Sequence, residues 1–170
     1  MKASIVDSVH FKLMSLVHET LYGLFKDPHK ALNAAGIKPG QKVLEVGCGP
    51  GFFTIPAARM VGPKGSICAL DMSPSAIERV QQKIERAGAT NVETLLSDAA
   101  RTGLPDESFD LIFLFGLDHA KGDMRGIMAE MHRLLKPGGV LSMEGRLQVP
   151  NQLFRRVKSQ GRISRFRKDG

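Results

Sequence analysis

The chain has 170 residues, 42% of them hydrophobic and 24% charged, enough to bury a core in one domain without disulfide or metal staples. Its formal charge is +7, but seven basic residues fall within residues 151–170 against one acid, Asp169, so the excess is a property of the tail and not of the whole surface. No apolar run approaches a membrane span and no signal-type apolar region opens the chain, while Cys48 and Cys68 make no disulfide framework, so the expectation is a cytoplasmic protein with reduced thiols and no membrane partner.

Taken in chain order, helix and strand alternate. Val9, Leu13, Leu16, Val17, Leu21 and Leu24 recur at helical spacing and predict an amphipathic first helix. Asp27-Pro28 supplies a cap and a first-turn proline for a short second helix that Gly36 ends, and Pro39-Gly40 turns the chain into a strand at Lys42–Val46. A helix over 53–61, a strand over 66–70 and a helix from the Ser73-Pro74 cap to Gly88 come next. Strands follow at Val92–Leu96 and at 111–115, the latter continuously apolar as a central parallel strand is. Ile127, Met131, Leu134 and Leu135 predict a further helix, stopped by Pro137-Gly138-Gly139 before a strand at 140–143.

After that, 151–160 is expected to form a helix and 162–168 one strand. The fold class is therefore α/β, a doubly wound and mainly parallel sheet with helices on both faces, its C-terminal strands incomplete. The organisation is a single domain over 1–170: N-terminal helices over 1–40, a ligand-binding core over 41–145, and a basic helix and final strand over 146–170. An incomplete sheet edge invites pairing, so a homodimer through that edge is expected. The basic tail admits two readings. One is a solvated helix and strand whose Arg and Lys stems cover apolar surface; the other, less favoured, is a surface for nucleic acid or acidic lipid.

The residues that carry chemistry fall at the carboxyl ends of predicted strands, where an open parallel sheet takes its ligand. Gly47, Gly49 and Gly51, with Cys48 among them, follow the first strand. Three alternate glycines let the backbone turn sharply and approach a ligand, where a bare turn needs only one. Asp71 ends the second strand. A carboxylate there can accept hydrogen bonds from two vicinal ribose hydroxyls, or else serve as a charge at the N-terminus of the next helix. Asp98, after the third strand, either caps the local turn or contacts a base amino group. A dinucleotide fingerprint wants a third glycine where Phe52 stands, and Glu45 inside the strand is an unwelcome neighbour for a pyrophosphate. A ligand with a cationic centre would tolerate it.

Val43-Leu44-Glu45-Val46-Gly47-Cys48-Gly49-Pro50-Gly51 resembles the first motif of the class I, Rossmann-like S-adenosylmethionine-dependent methyltransferases, in their small-molecule branch. Ala69-Leu70-Asp71-Met72 is similar to their second strand, Leu104-Pro105-Asp106-Glu107-Ser108-Phe109-Asp110 to the approach to their fourth, and Leu134-Leu135-Lys136-Pro137-Gly138-Gly139 to the turn into their fifth. Gly36-Ile37-Lys38-Pro39-Gly40 is also similar to their lead-in. The resemblance implies S-adenosylmethionine as cofactor and S-adenosylhomocysteine as product. Gly47, Gly49 and Gly51 would face its methionine part, with Cys48 in the same loop, and Glu45 would hold that loop and compensate cationic charge. Asp71 would bind the ribose, Met72 would lie against the adenine, and Asp98 with the Ala99 backbone would read the adenine edge.

Phe115, Gly116 and Leu117 would line the passage to the methyl group. Asp118 and His119 are the candidate catalytic groups if the acceptor must lose a proton, since His119 has a suitable intrinsic pKa. His18 and Tyr22 on the first helix could close over the cofactor and line the acceptor site. Phe115-Gly116-Leu117-Asp118 is not the proline-rich tetrad of amino methyltransferases. No Pro-Cys pair stands there to attack a cytosine, and Asp118 with His119 is too little for a divalent-metal site. A metal-independent transferase with a small-molecule methyl acceptor remains. The competing readings are a cofactor-binding module with little turnover that docks on RNA or a protein through the basic tail, and a nicotinamide-dependent oxidoreductase. The family's sheet ends in two further strands, and the tail, read as a helix and one strand, leaves no residues for the seventh.

Overall fold

A computed structural model describes residues 27–116, 123–145 and 149–169. The predicted first helix, with His18 and Tyr22, and the trio Leu117, Asp118 and His119 lie outside the described residues.

The elements run α1 (Pro28–Ala35), β1 (Lys42–Val46), α2 (Thr54–Val61), β2 (Ser66–Asp71), α3 (Pro74–Ala87), β3 (Val92–Leu96), β4 (Phe109–Leu114), α4 (Met124–Leu134), β5 (Leu135–Glu144), β6 (Phe154–Gln160) and β7 (Ile163–Lys168). They build one seven-stranded sheet in the order β3-β2-β1-β4-β5-β7-β6. β1 to β5 are parallel, β7 runs antiparallel to β5, and β6 runs antiparallel to β7. The sheet is open, with β3 and β6 at its edges.

The local signals act as expected. Asp27 and Ser73 accept hydrogen bonds from the first turns of α1 and α3, each with proline at the helix start, and Gly36 and Gly88 close those helices in the left-handed region. Alternation along the central strands divides the core. Val43, Ile67, Leu111 and Phe113 face α1 and α2 together with Leu32, Ala57 and Val61. Leu44, Leu70, Ile112, Leu114 and Leu141 face α4 through Met128, Met131 and Leu134. At the amino edge of the sheet Asp110 ties three strands together. Its Oδ2 accepts the Lys42 N–H at 2.8 Å and its Oδ1 accepts Lys136 Nζ at 2.7 Å, contacts that hold its carboxyl below the ordinary range despite partial burial. Pro137-Gly138-Gly139 falls inside β5, at a register shift between Phe109 and Leu111 of β4, where a proline costs no ladder bond.

The C-terminal expectation is corrected. Residues 154–160 form a strand, not a helix, and β7 slots between β5 and β6, so the set of seven strands is present. Gly161 is the first of two loop residues between the paired Gln160 and Ile163 and has φ of 60°, the backbone a two-residue hairpin needs at that place. The chain is economical instead between β5 and β6, where the described residues 149–153 form no helix. The expected dimer loses its premise, because no strand is missing from the sheet.

Phe154 and Phe166 dock the hairpin on the α4 face, Phe154 with its ring 5.4 Å from His132. Phe154→Ala and Phe166→Ala should each cost about 3–5 kcal/mol in urea unfolding, the usual loss for a buried phenylalanine. A surface helix over the same residues would make Phe154→Ala nearly neutral.

Candidate functional site

The strand order reverses between β1 and β4, and the loop at residues 47–51 leaves β1 at that reversal. Its backbone is tied to the end of β2. The N–H groups of Gly47 and Cys48 donate to the Leu70 carbonyl at 2.8 and 3.0 Å, and the Gly49 N–H donates to Asp71 Oδ2 at 2.9 Å. Gly47, Gly49 and Gly51 have φ of 71°, 51° and 79°, a region that strains residues with side chains. A Cβ on Gly49 would meet nothing within 4 Å, so this glycine opens onto free space. A Cβ on Gly51 would stand 3.0 Å from Val80 Cγ2 and 3.5 Å from Thr54 Oγ1, so the side-chain position of this glycine is turned toward α3.

Asp71 is half-buried. Its Oδ1 accepts the Ser73 N–H at 2.9 Å while Oδ2 holds Gly49, and each oxygen keeps a lone pair for a further donor. Both sequence readings of Asp71 thus have a structural counterpart: it braces the start of α3 and stands available at the strand end. Met72, next to it, is 76% exposed, an apolar surface beside the carboxylate. Asp98 is exposed, and its Oδ1 accepts the Ala100 N–H at 2.9 Å, so one oxygen caps the turn and the other is left for an outside contact. Ala99 is half-buried against the α4-side core. That turn is braced from α4: Glu130 accepts the Thr102 N–H and hydroxyl at 3.0 and 2.7 Å and is itself gripped by Arg133, which also pairs with Asp106. Arg133 is the main cause of the Glu130 pKa falling to about 2.

Two predicted residues sit deeper than expected. Phe115 is buried in an aromatic cluster, its ring 5.2 Å from Phe53 and 5.0 Å from Phe113, while the neighbouring Gly116 is exposed. Cys48 is buried among Ala69, Ile77 and Val80, and this desolvation, with the nearby Glu45 and Asp71, pushes its thiol far above the ordinary range.

Glu45 is only 2% exposed and lies under the first turn of α2, where Thr54 Oγ1 donates to its Oε2 at 2.6 Å. Burial raises its pKa to about 8, against the opposing Thr54 hydrogen bond; the charge of Asp71 raises it further and Lys83 lowers it. Sequence reasoning missed Thr54 and Lys83, whose Nζ is 3.5 Å from the Gly51 carbonyl. A hydroxyl residue in the first turn after the glycine loop was the available signal for Thr54. Lys83 gave none, because only the packing of α3 brings it to the loop.

A family profile described as a methyltransferase domain matches residues 37–163. The chain belongs to that family. It is 36% identical over 116 residues to a demethylmenaquinone methyltransferase of Geobacillus stearothermophilus, covering 68% of this chain and 48% of that protein. It is 35% identical over 130 residues to one from Listeria welshimeri, covering 71% and 55%. The chain therefore spans about half the length of these curated relatives. Among solved structures, a SAM-dependent methyltransferase from Aquifex aeolicus shares the fold with a TM-score of 0.77 at 24% identity, over 94% of this chain and 97% of that one. A putative S-adenosyl-L-methionine-dependent methyltransferase from Methanococcus maripaludis gives 0.70 at 27% identity, over 81% and 63%.

Glu45 sets a pH dependence. Its folded-state pKa of about 8 exceeds the ordinary 4.5, so between those values the folded chain holds a proton that the unfolded chain has released. Stability therefore falls as pH rises through that window and levels off above it. Glu45→Gln, which keeps an acceptor for Thr54, should raise the melting temperature by several degrees at pH 8.5 and change it little at pH 4.5. Thermal unfolding of both proteins across this range reads the difference directly.

Proposed function

We propose that this domain binds S-adenosylmethionine at the 47–51 loop and transfers its methyl group to a small-molecule acceptor. The observation that carries the reading is the pairing of an open-faced Gly49 with the Asp71 carboxylate at the end of the next strand. The residues present suit such a ligand. Asp71 has acceptor capacity for two ribose hydroxyls, Met72 offers an apolar surface for the base, and Asp98 and the Ala99 backbone are placed at the next strand end for its edge. The buried Glu45 beside the loop is protonated near neutral pH and can release its proton when a cation arrives, whereas a pyrophosphate would hold it neutral, which supports the sulfonium ligand over a dinucleotide.

The cofactor supplies a methyl group already activated on a sulfonium sulfur, with a neutral thioether as leaving group. The chain has then to hold the two reactants in line and exclude water, and a displacement of this kind calls for no Lewis acid. Phe115 supports the end of β4 from within the core, and the approach to the methyl group is assigned to its backbone and Gly116, with Leu117, outside the described residues, next in the chain. Where the acceptor must lose a proton, we assign that role to His119 with Asp118, and contact with the acceptor to His18 and Tyr22, all four outside the described residues. The names of the curated relatives support a small-molecule acceptor. The alternative of a docking module without turnover loses one of its two supports, since the seventh strand is present.

Calorimetric titration with S-adenosylmethionine and S-adenosylhomocysteine, with NAD as control, tests the reading. Micromolar binding of the first two and none of NAD is expected. Asp71→Ala should weaken both by ~100-fold or more, two hydrogen bonds to a charged group being worth roughly 1.5–3 kcal/mol each. Near-unchanged affinity in that variant would remove Asp71 from the site.

A further inference from the structure

The hairpin that completes the sheet carries a cost the fold does not explain. On its α1 face Lys158 of β6 stands directly opposite Arg165 of β7, and Arg155 directly opposite Arg167. Like charges facing each other across a strand pair are destabilising, and here two such pairs are adjacent. Arg155 is relieved by Asp169 at 3.3 Å, but Lys158, Arg165 and Arg167 form no ion pair among the described residues.

These three side chains, with Lys38, line a cavity of about 240 Å³ completed by Gly36, Gln41, Val140 and Val157; no carboxylate is among the lining residues. Arg165 is held in place from below. Its Nη1 lies 2.6 Å from where a Cβ on Gly36 would stand, so the guanidinium occupies the space that the glycine's missing side chain leaves. Two buried polar atoms lack hydrogen-bond partners among the described residues, Arg165 Nε and Ser142 Oγ, and these residues are one cross-strand pair of β7 and β5. An Arg165 guanidinium with an unpartnered buried Nε therefore stands at a cavity lined by four cations, a concentration of positive charge that favours an anion.

We propose that this cavity binds a phosphate-bearing ligand, a diphosphate or phosphomonoester, with Arg165 as the principal donor and Lys38, Lys158 and Arg167 around it. A guanidinium fork matches phosphate oxygens two at a time, and one phosphate group would relieve the facing charges. The cavity is smaller than those that enclose drug-sized ligands, roughly 300–1,000 Å³, so it takes the charged group and leaves the remainder of the ligand outside. Gln41 and Val140 place it at the amino edge of the parallel strands, the end opposite the 47–51 loop. It is thus separate from the methyl-transfer site and does not depend on that assignment.

The test is titration of the whole protein with inorganic pyrophosphate at fixed ionic strength, followed by calorimetry. Saturable binding is expected, weakened at least about tenfold in Arg165→Gln and several-fold in Lys158→Gln. Far-UV circular dichroism and the melting temperature of both variants without ligand should remain close to those of the parent, which shows that they fold. Co-flotation with phosphatidylcholine vesicles containing phosphatidic acid, lost in Arg165→Gln, would assign the phosphate to a lipid headgroup; pyrophosphate binding without flotation assigns it to a free ligand. No pyrophosphate binding, or binding that neither variant weakens, overturns the proposal. So does retention of poly(U) RNA with a steep salt dependence and no response to pyrophosphate, which would make the hairpin a diffuse polyanion surface.

Discussion

The carboxyl end of β2 holds the glycine loop that leaves β1, and the rest of the candidate site hangs on that tie. Three successive N–H groups, those of Gly47, Cys48 and Gly49, are spent on the Leu70 carbonyl and the Asp71 carboxylate. A loop of glycines would otherwise be among the most mobile parts of the chain, since glycine loses the most freedom on ordering. Here the ordering is done by a neighbouring strand, and the strand's last residue both braces the loop and presents its carboxylate beside it. Gly51 then fastens the far side of the loop to α3, while Gly49 has open space before it.

Beneath this tie lies a buried acid. Glu45 is tolerated there because it can stay protonated and because Thr54 donates to it. Its position couples the ionisation state of the core to whatever charge arrives at the loop. The aromatic cluster of Phe53, Phe113 and Phe115 fills the same face of the sheet and keeps water from the acid's surroundings, so packing and electrostatics at this point are one arrangement.

The two ends of the sheet do different work. The amino edge is clamped by Asp110, whose partners come from β1 and from the start of β5, and the turn carrying Asp98 is braced by Glu130 and Arg133 on α4. Segments that resemble family motifs thus include structural fasteners as well as ligand contacts. The basic hairpin is different again. Its α4 face is docked conventionally by Phe154 and Phe166, whereas its α1 face gathers cations that repel one another.

Much of this was legible along the chain. The caps at Asp27-Pro28 and Ser73-Pro74, the apolar run of β4 and the alternate glycines depend on contiguous residues, through backbone torsions and hydrophobic period, so they could be read without any knowledge of distant partners. The same holds for the position of Asp71 at a strand end. The tail could not be read that way. Residues 151–160 are polar and without strong period, Gly161 was the one local sign of a hairpin, and strand was selected by pairing with β7, itself paired with the free side of β5. The protonation of Glu45, the grip of Lys83 on the loop and the seating of Arg165 on Gly36 likewise arise from residues far apart in the chain. Local order is set by neighbours in sequence; burial, charge and register are set by neighbours in space, and those exist only once the sheet has formed.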